Sequence, residues 1–399
     1  ANNGEDACTM IKEKQPDVVL LDLIMPKMDG LSVMDYVNQE KEMKKNFLVI
    51  TMMMMAVCLA MPADASNPAS ALRKRLLKLE KRGIMIGHQD DPFYGTTWKW
   101  DRGRSDVKEV CGDWPAVMGF ELGNLELDSA RNLDGVPFDR MREEIRNQYE
   151  RGGICTISWH PTNPTTGKNA WDPSGRPVEK IFRPMTAENE IFDLWLNRVA
   201  KFLLSLKTGD GKPIPVIFRP WHEMSGGWFW WGKDSCAPEE YQKLYRRTID
   251  FLRQRGIEQY LYAYSPGGDP NETADNFMKF YPGDNYVDLM GCDLYGNESK
   301  DKYIKEMRHE LEVVCKVAKK HKKIAIVAET GSRNTPDPTW FTTGLWAAVK
   351  DFPISYVMLW RNAWDQPTEN FGPAPEKPCA DDFRVLYKEP RSLFLKDIK

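Results

Sequence analysis

The sequence predicts an α/β fold of the (β/α)8, or TIM barrel, type, and three observations predict it. The chain has 399 residues, 42% of them hydrophobic, whereas one such barrel needs only about 250. Eight apolar runs rich in β-branched and aromatic residues alternate with amphipathic stretches, the pattern of βα units around a parallel sheet. The runs also close, in order, on His88, Glu121, His160, Glu223, Ser265, Tyr295, Glu329 and Trp360. Barrel strands present their carboxyl ends on one face, where functional groups gather. A single His or Trp at a strand end is ordinarily packing; a ring of eight polar or aromatic ends describes an active site.

The runs occupy 83–88 (GIMIGH), 116–121 (AVMGFE), 154–160 (ICTISWH), 215–223 (PVIFRPWHE), 260–265 (YLYAYS), 287–295 (VDLMGCDLY), 324–329 (IAIVAE) and 354–360 (ISYVMLW). Helices are expected between them at 138–151, 188–205, 238–255, 302–320 and 343–350. A net charge of −3 and a pI near 6.1 leave no basic footprint, so nucleic acid is not an expected partner. Fourteen Trp and fourteen Tyr exceed what a core alone needs. Flat rings in a cleft stack on the apolar faces of sugars, so carbohydrate is the expected ligand.

The first 42 residues differ from the rest. The segment PDVVLLDLIMPKMDGLSVMDYV reads as a buried strand, an exposed Asp, a loop and a helix start. It resembles the phosphoacceptor segment of a response-regulator receiver domain, with D-x-x-M-P-x-M-D-G standing from Asp22 to Gly30. Neither the upstream acidic pair nor the downstream Lys strand of a receiver is found, which favours a non-functional fragment over a phosphorylated Asp22. Met43, Lys44 and Lys45 then open a basic region, followed by the apolar run from Phe47 to Met61 and the small-residue site Ala63-Asp64-Ala65. That order predicts a secretory signal peptide at 43–65, a mature protein from Ser66 without a membrane span, and a secreted or periplasmic location. Cys58 lacks a small residue just before it, so a lipoprotein anchor is not favoured. Residues 66–399 are expected to form one catalytic domain, and a monomer is expected. Of its six cysteines, Cys155 and Cys292 sit in strand-like runs as buried thiols, and a disulfide among Cys111, Cys236, Cys315 and Cys379 is left open.

Glu223 in RPWHEM and Glu329 in VAETG close the fourth and seventh runs, so both project into one barrel mouth. Hydrolysis of a glycoside needs such a pair, one carboxyl protonated to assist the leaving oxygen and one ionised to attack the anomeric carbon. A retaining enzyme sets them about 5 to 5.5 Å apart. Tyr295, closing the adjacent sixth run, is placed to hydrogen-bond Glu329 and favour its ionised, nucleophilic form. Trp221, His222 and the run Trp228-Phe229-Trp230-Trp231 crowd Glu223 and are expected to desolvate it, which suits the acid/base. The bland alternative is a pair of salt-bridged barrel residues, with Arg219 as partner. A metal site is not expected, because His222-Glu223 has no second His at helical spacing and no other His pair has ligand spacing. No cofactor is expected, and no G-x-S-x-G elbow supports a serine hydrolase.

GHQDDPFYGTTWKW, SWHPTNP, RPWHEMSGGWFWWG, GCDLYG, VAETG and LWRNA, spread from about residue 71 to the C-terminus, resemble glycoside hydrolase family 26, whose best-known members are β-mannanases. The resemblance implies a (β/α)8 fold and a retaining mechanism with Glu223 as acid/base and Glu329 as nucleophile. It further implies that His160, His222, Trp228, Tyr295 and Trp360 bind or orient the sugar. Trp98, Trp100 and Tyr94 on the first loop line more distant subsites in that reading, or else pack structurally. The substrate implied is β-1,4-mannan or its oligosaccharides. A β-1,3:1,4-glucanase or xylanase of the same family is the alternative, and a non-catalytic carbohydrate-binding barrel is disfavoured because both carboxylates are intact. The segment LGNLELDSARNLDGVPFD after the second run is a candidate wall at one end of the cleft, leaving endo action or mannobiose release both open.

Overall fold

In the computed structural model, residues 4–14, Val33 and 67–399 are described. Asp22, the expected leader at 43–65 and Cys58 lie outside the described residues. The chain divides into two compact units, 1–66 and 67–399. The first contributes the helix Gly4–Lys14, with Glu5 and Asp6 in its first turn and Lys12 and Lys14 in its last, where they complement the helix dipole. No described helix is long and apolar enough to cross a membrane.

The second unit is a closed parallel barrel. Its strands are β1 Ile84–Gln89, β2 Val117–Glu121, β3 Ile154–Trp159, β4 Ile217–Pro220, β5 Leu261–Tyr264, β6 Leu289–Tyr295, β7 Ile324–Gly331 and β8 Tyr356–Leu359. Closure comes from β1, which pairs with β2 through Gly87 and Val117 and with β8 through Met85 and Tyr356. A short β9, Ser392–Leu393, pairs with the beginning of β1.

Side chains alternate along a strand, so each strand feeds two cores. Met85, Val117, Ile154, Ile217, Leu261, Leu289, Ile324 and Tyr356 form an interior cluster with Leu72, Leu76 and Leu79 of the helix Pro68–Glu80. That helix begins on Asn67, whose side chain accepts the Ala69 N–H at 2.9 Å, and has Pro68 in its first turn. Because it meets the first residues of the strands, it plugs the amino-terminal end of the barrel. Ile86, Phe120, Ile157, Phe218, Met290, Val327 and Val357 belong to the outer core beneath the surrounding helices. Toward the carboxyl ends the inward rows become polar, at Ser158, Arg219, Ser265 and Asp293.

Glu329 needs an extra device. Ile324, Ile326 and Ala328 belong to the interior cluster, so strict alternation would turn Glu329 outward. The register between β6 and β7 slips between Cys292 and Asp293, and β7 is again irregular against β8 between Val327 and Thr330. This bulge re-aims one side chain, and Asp293 now faces Glu329.

The main helices are Phe138–Glu150, Ala187–Leu204, Pro238–Gln254 and Lys300–His321. Thr186 and Ser299 cap two of them by accepting the N–H of Asn189 and Lys302, each at 3.2 Å. Two expectations are corrected and one open question is closed. The fourth strand stops at Pro220 and not at Glu223, because Pro220 and the left-handed Trp221 end the ladder. The helix expected at 343–350 is a π-helix over Trp340–Trp346 followed by Ala347–Val349; a hydrophobic period does not separate a π turn from an α turn, and at Gly344 a Cβ would stand 2.9 Å from the Trp340 ring. Cys111, Cys236, Cys315 and Cys379 are free thiols, so no disulfide joins them.

Candidate active site

Glu223 stands three residues past β4 in a turn where Trp221 and Glu223 have φ of 59° and 56°. Left-handed backbone costs a non-glycine residue roughly 1 to 2 kcal/mol, so the turn must be held from outside. Tyr241 Oη donates to the Trp221 carbonyl at 2.8 Å, Trp231 Nε1 to that of His222 at 2.7 Å, and the Glu223 N–H to that of Ser265 at 2.8 Å. Three bonds to the turn's backbone thus hold its shape. The result lifts the Glu223 carboxyl into the mouth.

The aromatic run does not surround Glu223 as expected. Trp221, Trp230 and Trp231 are fully buried in the outer core, with Trp221 Nε1 bonded to Thr248 Oγ1 at 3.1 Å. Trp228 alone of these rings bonds the carboxyl, donating from Nε1 to Glu223 Oε2 at 2.7 Å. Burial, then the negative charge of Glu329, push Glu223 up to about 7, while the Trp228 bond and the charges of Arg219 and His160 oppose the rise.

Glu329 has opposite surroundings. Tyr295 Oη donates to its Oε2 at 2.8 Å, and Arg219 Nη2 donates to its Oε1. Arg219 Nη1 meanwhile donates to Asp293 Oδ2 at 2.9 Å and to Ser265 Oγ at 3.0 Å. One guanidinium therefore braces two carboxylates, and its planar fork fixes both directions at once. Burial works against the Arg219 charge, but Asp293 and Glu329 outweigh it and hold the guanidinium firmly protonated. The salt bridge foreseen as the bland alternative is thus present, and it orients Glu329 while leaving its Oε2 to Tyr295. Oxygens of Glu223, Asp293 and Glu329 come within 4.8 Å of one another. Arg219 and Ser265 bond Asp293 Oδ2, Arg219 and Tyr295 bond the two oxygens of Glu329, and Trp228 bonds Glu223 Oε2, whereas Asp293 Oδ1 is buried without a partner among the described residues.

Two cavities open among the residues around the pair, one bordered by His160 and Trp360 and the other by Trp228. One, of about 420 Å³, is lined by Glu121, Asp134, His160, Trp171, Trp360 and Arg361 among others. Trp171, 49% exposed, stacks on the His160 imidazole with centroids 5.3 Å apart and planes 10° from parallel. Trp360 meets the same imidazole edge-on at 6.2 Å. Asp134, from the segment after β2 expected to wall the cleft, pairs with Arg361 at 2.8 Å. The other cavity, of about 370 Å³, is lined by Ser225, Trp228, Gly267, Asp269 and Glu272 among others. Trp228 is 45% exposed there.

Glu223, Glu329, His160, His222, Trp228, Tyr295 and Trp360 are therefore gathered at one mouth. The first-loop aromatics divide differently. Trp98 is 6% exposed and donates to Asp106 at 2.7 Å, and Tyr94 is 1% exposed and donates to Asp90 at 2.7 Å. Trp100, half-buried, packs edge-on against Tyr94 and Trp364. Asp293, Trp171 and the Asp134–Arg361 pair were not singled out from the sequence. Asp293 lies two residues before Tyr295 in the same strand end, and Trp171 is an aromatic in a loop of Asn, Asp and Gly; those were the available signals.

The model of glycosyl hydrolase family 26 matches residues 62–370, and that of the response regulator receiver domain matches residues 1–66. A mannan endo-1,4-beta-mannosidase of Bifidobacterium adolescentis is 32% identical over 321 residues, covering 75% of this chain and 31% of that protein. Another, of Bacillus subtilis, is 31% identical over 241 residues, 58% of this chain and 63% of that one. The chain thus spans less than two-thirds of the length of either relative. Among solved structures, a family 26 beta-mannanase from Bacteroides ovatus superposes with a TM-score of 0.81 at 43% identity, covering 83% of this chain and 96% of that one. A modular endo-beta-1,4-mannanase from Cellulomonas fimi gives 0.75 at 32% identity, covering 84% and 77%.

Proposed function

The chain belongs to glycosyl hydrolase family 26, and from that premise we propose that it cleaves β-1,4-mannosidic bonds within mannan, galactomannan or glucomannan and retains the anomeric configuration. The observation that carries the mechanism is the approach of Glu223 and Glu329 oxygens to within 4.8 Å. Retaining enzymes separate their carboxyls by about 5 to 5.5 Å, and inverting ones by about 6.5 to 9.5 Å to admit a water. Mannan as substrate is supported by what the relatives are named for. A β-1,3:1,4-glucanase or xylanase is not favoured.

In the first step an oxygen of Glu329 forms a bond to the anomeric carbon while the glycosidic C–O bond breaks, and Glu223 gives its proton to the departing oxygen. A glycosyl ester on Glu329 and a Glu223 carboxylate result. In the second step Glu223 takes a proton from water, the water oxygen bonds to the anomeric carbon, and Glu329 leaves as carboxylate. Two inversions retain configuration. Tyr295 and Arg219 hold Glu329 in line, and Trp228 orients Glu223. His160, His222 and Trp360 orient the reacting sugar, joined by Trp171 on the 420 Å³ side. Trp100 extends that wall, whereas Trp98 and Tyr94 support it from within.

Residues 66–399 form the catalytic domain in this reading. The basic start, apolar run and Ala63-Asp64-Ala65 site support a cleaved leader at 43–65 and a secreted or periplasmic monomer, although the receiver-domain match also extends over this stretch. A product profile on mannohexaose and galactomannan tests the substrate. Mixed oligomers are expected; mannobiose alone contradicts endo action, and release from barley glucan with none from mannan overturns the substrate.

A further inference from the structure

A chain of buried side chains runs from the end of β2 to the carboxyl pair. Glu121 is 1% exposed. Its Oε1 accepts the N–H of Gly123 at 2.6 Å and of His160 at 2.8 Å, and its Oε2 accepts Ser158 Oγ at 2.6 Å and faces His160 Nδ1 at 2.8 Å. Burial alone pushes this carboxyl up, but the His160 charge and the converging donors outweigh it and hold the group below its ordinary value. An anion at that distance fixes a proton on His160 Nδ1.

The far nitrogen of His160 meets another imidazole: Nε2 lies 2.8 Å from His222 Nε2. Two ring nitrogens so close share a single proton, so the state of His160 dictates that of His222. When His160 is neutral, its Nε2 accepts and His222 carries its proton on Nε2. When His160 is charged, its Nε2 donates and the proton of His222 moves to Nδ1, an atom with no hydrogen-bond partner. His222 Nε2 also lies 3.8 Å from Glu329 Oε1, so the exchange happens beside the reacting carboxyls.

We propose that Glu121 is a positioning residue: its buried carboxylate, 2.8 Å from His160 Nδ1, keeps the His160–His222 pair charged beside the catalytic carboxyls, and so sets the pH at which Glu223 releases its proton. The inference rests on the reading of Glu223 as the acid. The groups acting on His160 are Glu121 and Asp134 from β2 and its loop, Arg219, His222 and Glu223 from β4 and its turn, and Glu329 from β7. Trp171, Phe229, Trp231 and Trp360 enclose it. Burial pushes His160 down; Glu121, by charge and hydrogen bond, and then Glu329 push it up, Arg219 opposes them, and the balance is upward. Burial, Arg219 and His160 itself drive His222 down, so the shared charge resides on His160. That charge in turn opposes the rise of Glu223, on which Glu121 acts through His160.

Glu121→Gln tests this. A glutamine donates where the carboxylate accepted, so His160 becomes neutral at working pH. The alkaline limb of kcat/KM on mannohexaose is expected to move up by about half a pH unit, since a neutral His160 no longer favours the Glu223 anion. With five histidines in the chain, ring ¹⁵N shifts assigned through His160→Gln report the imidazoles without any turnover. His160 is expected to titrate above an ordinary histidine in the parent and to lose that titration in Glu121→Gln. His160→Gln removes the charge directly and keeps the test open if Glu121→Gln does not fold; it shifts the limb equally, and the double variant shifts it no further. An unmoved limb, or an unmoved His160 titration, overturns the proposal; a uniform loss of rate without either shift marks a merely structural role and also overturns it. A parent chain inactive on mannan refutes the proposed substrate instead, and the ring titration still decides the relay.

Discussion

Replacing Glu223 by alanine removes the acid of the first step and the base of the second, and the structure dictates how unequally the two losses show. With its carboxyl held at about 7, Glu223 is roughly nine-tenths protonated at pH 6 and one-tenth at pH 8. The parent is therefore expected to hold its kcat/KM on mannohexaose below pH 7 and to lose about tenfold per unit above it. A sugar leaving as an alkoxide depends on the donated proton, so Glu223→Ala should lose about 10² to 10⁴ in kcat/KM on mannohexaose. A dinitrophenyl mannobioside leaves without protonation, so its kcat/KM should fall less than about tenfold. Its kcat falls because water attacks the glycosyl ester unaided, the ester accumulates, and KM drops with it. Azide, which needs no base, should restore turnover as the β-azide. Equal losses on both substrates refute the assignment.

Glu329→Ala should abolish turnover on both substrates with an unchanged far-UV spectrum. Tyr295→Phe removes the bond to Glu329 Oε2; a hydrogen bond to a charged group contributes about 1.5 to 3 kcal/mol, so kcat should fall roughly 10- to 150-fold with KM nearly unchanged. Asp293→Ala leaves Arg219 one carboxylate short in a buried site, and urea unfolding should show a loss of about 3 to 5 kcal/mol. Glu223→Gln should stabilise the fold in alkaline solution. A carboxyl raised from 4.5 to about 7 on folding supports stability below the unfolded value and loses that contribution as pH rises through 7. The variant should match the parent near pH 4 and exceed it by on the order of 2 to 3 kcal/mol at pH 8, read from paired denaturation curves.

Eight strands were legible because apolar runs rich in β-branched and aromatic residues, and the amphipathic stretches between them, survive in any single sequence, although the fourth ends before Glu223. What stayed hidden depends on contacts between elements. Trp221 and Glu223 carry no glycine to announce left-handed backbone, and the turn exists because Tyr241, Trp231 and Ser265 satisfy it. Glu329 reads as the end of an apolar run, yet it faces the site only through a register slip against β6. Trp98 and Trp171 look alike as loop aromatics; Asp106 draws one inward, while the other stacks at the surface on His160. Arg219 was noted only as a possible partner, because nothing local reveals that its fork spans both Asp293 and Glu329.

The claim on which the rest depends is direct attack by Glu329 across a gap too narrow for water. Proton NMR of mannohexaose hydrolysis, recorded before mutarotation, reads the anomer first formed at the new reducing end. The β-anomer appearing first, with α following by mutarotation, is the result expected of a retaining pair; α appearing first would show single inversion and contradict the assignment of both carboxyls.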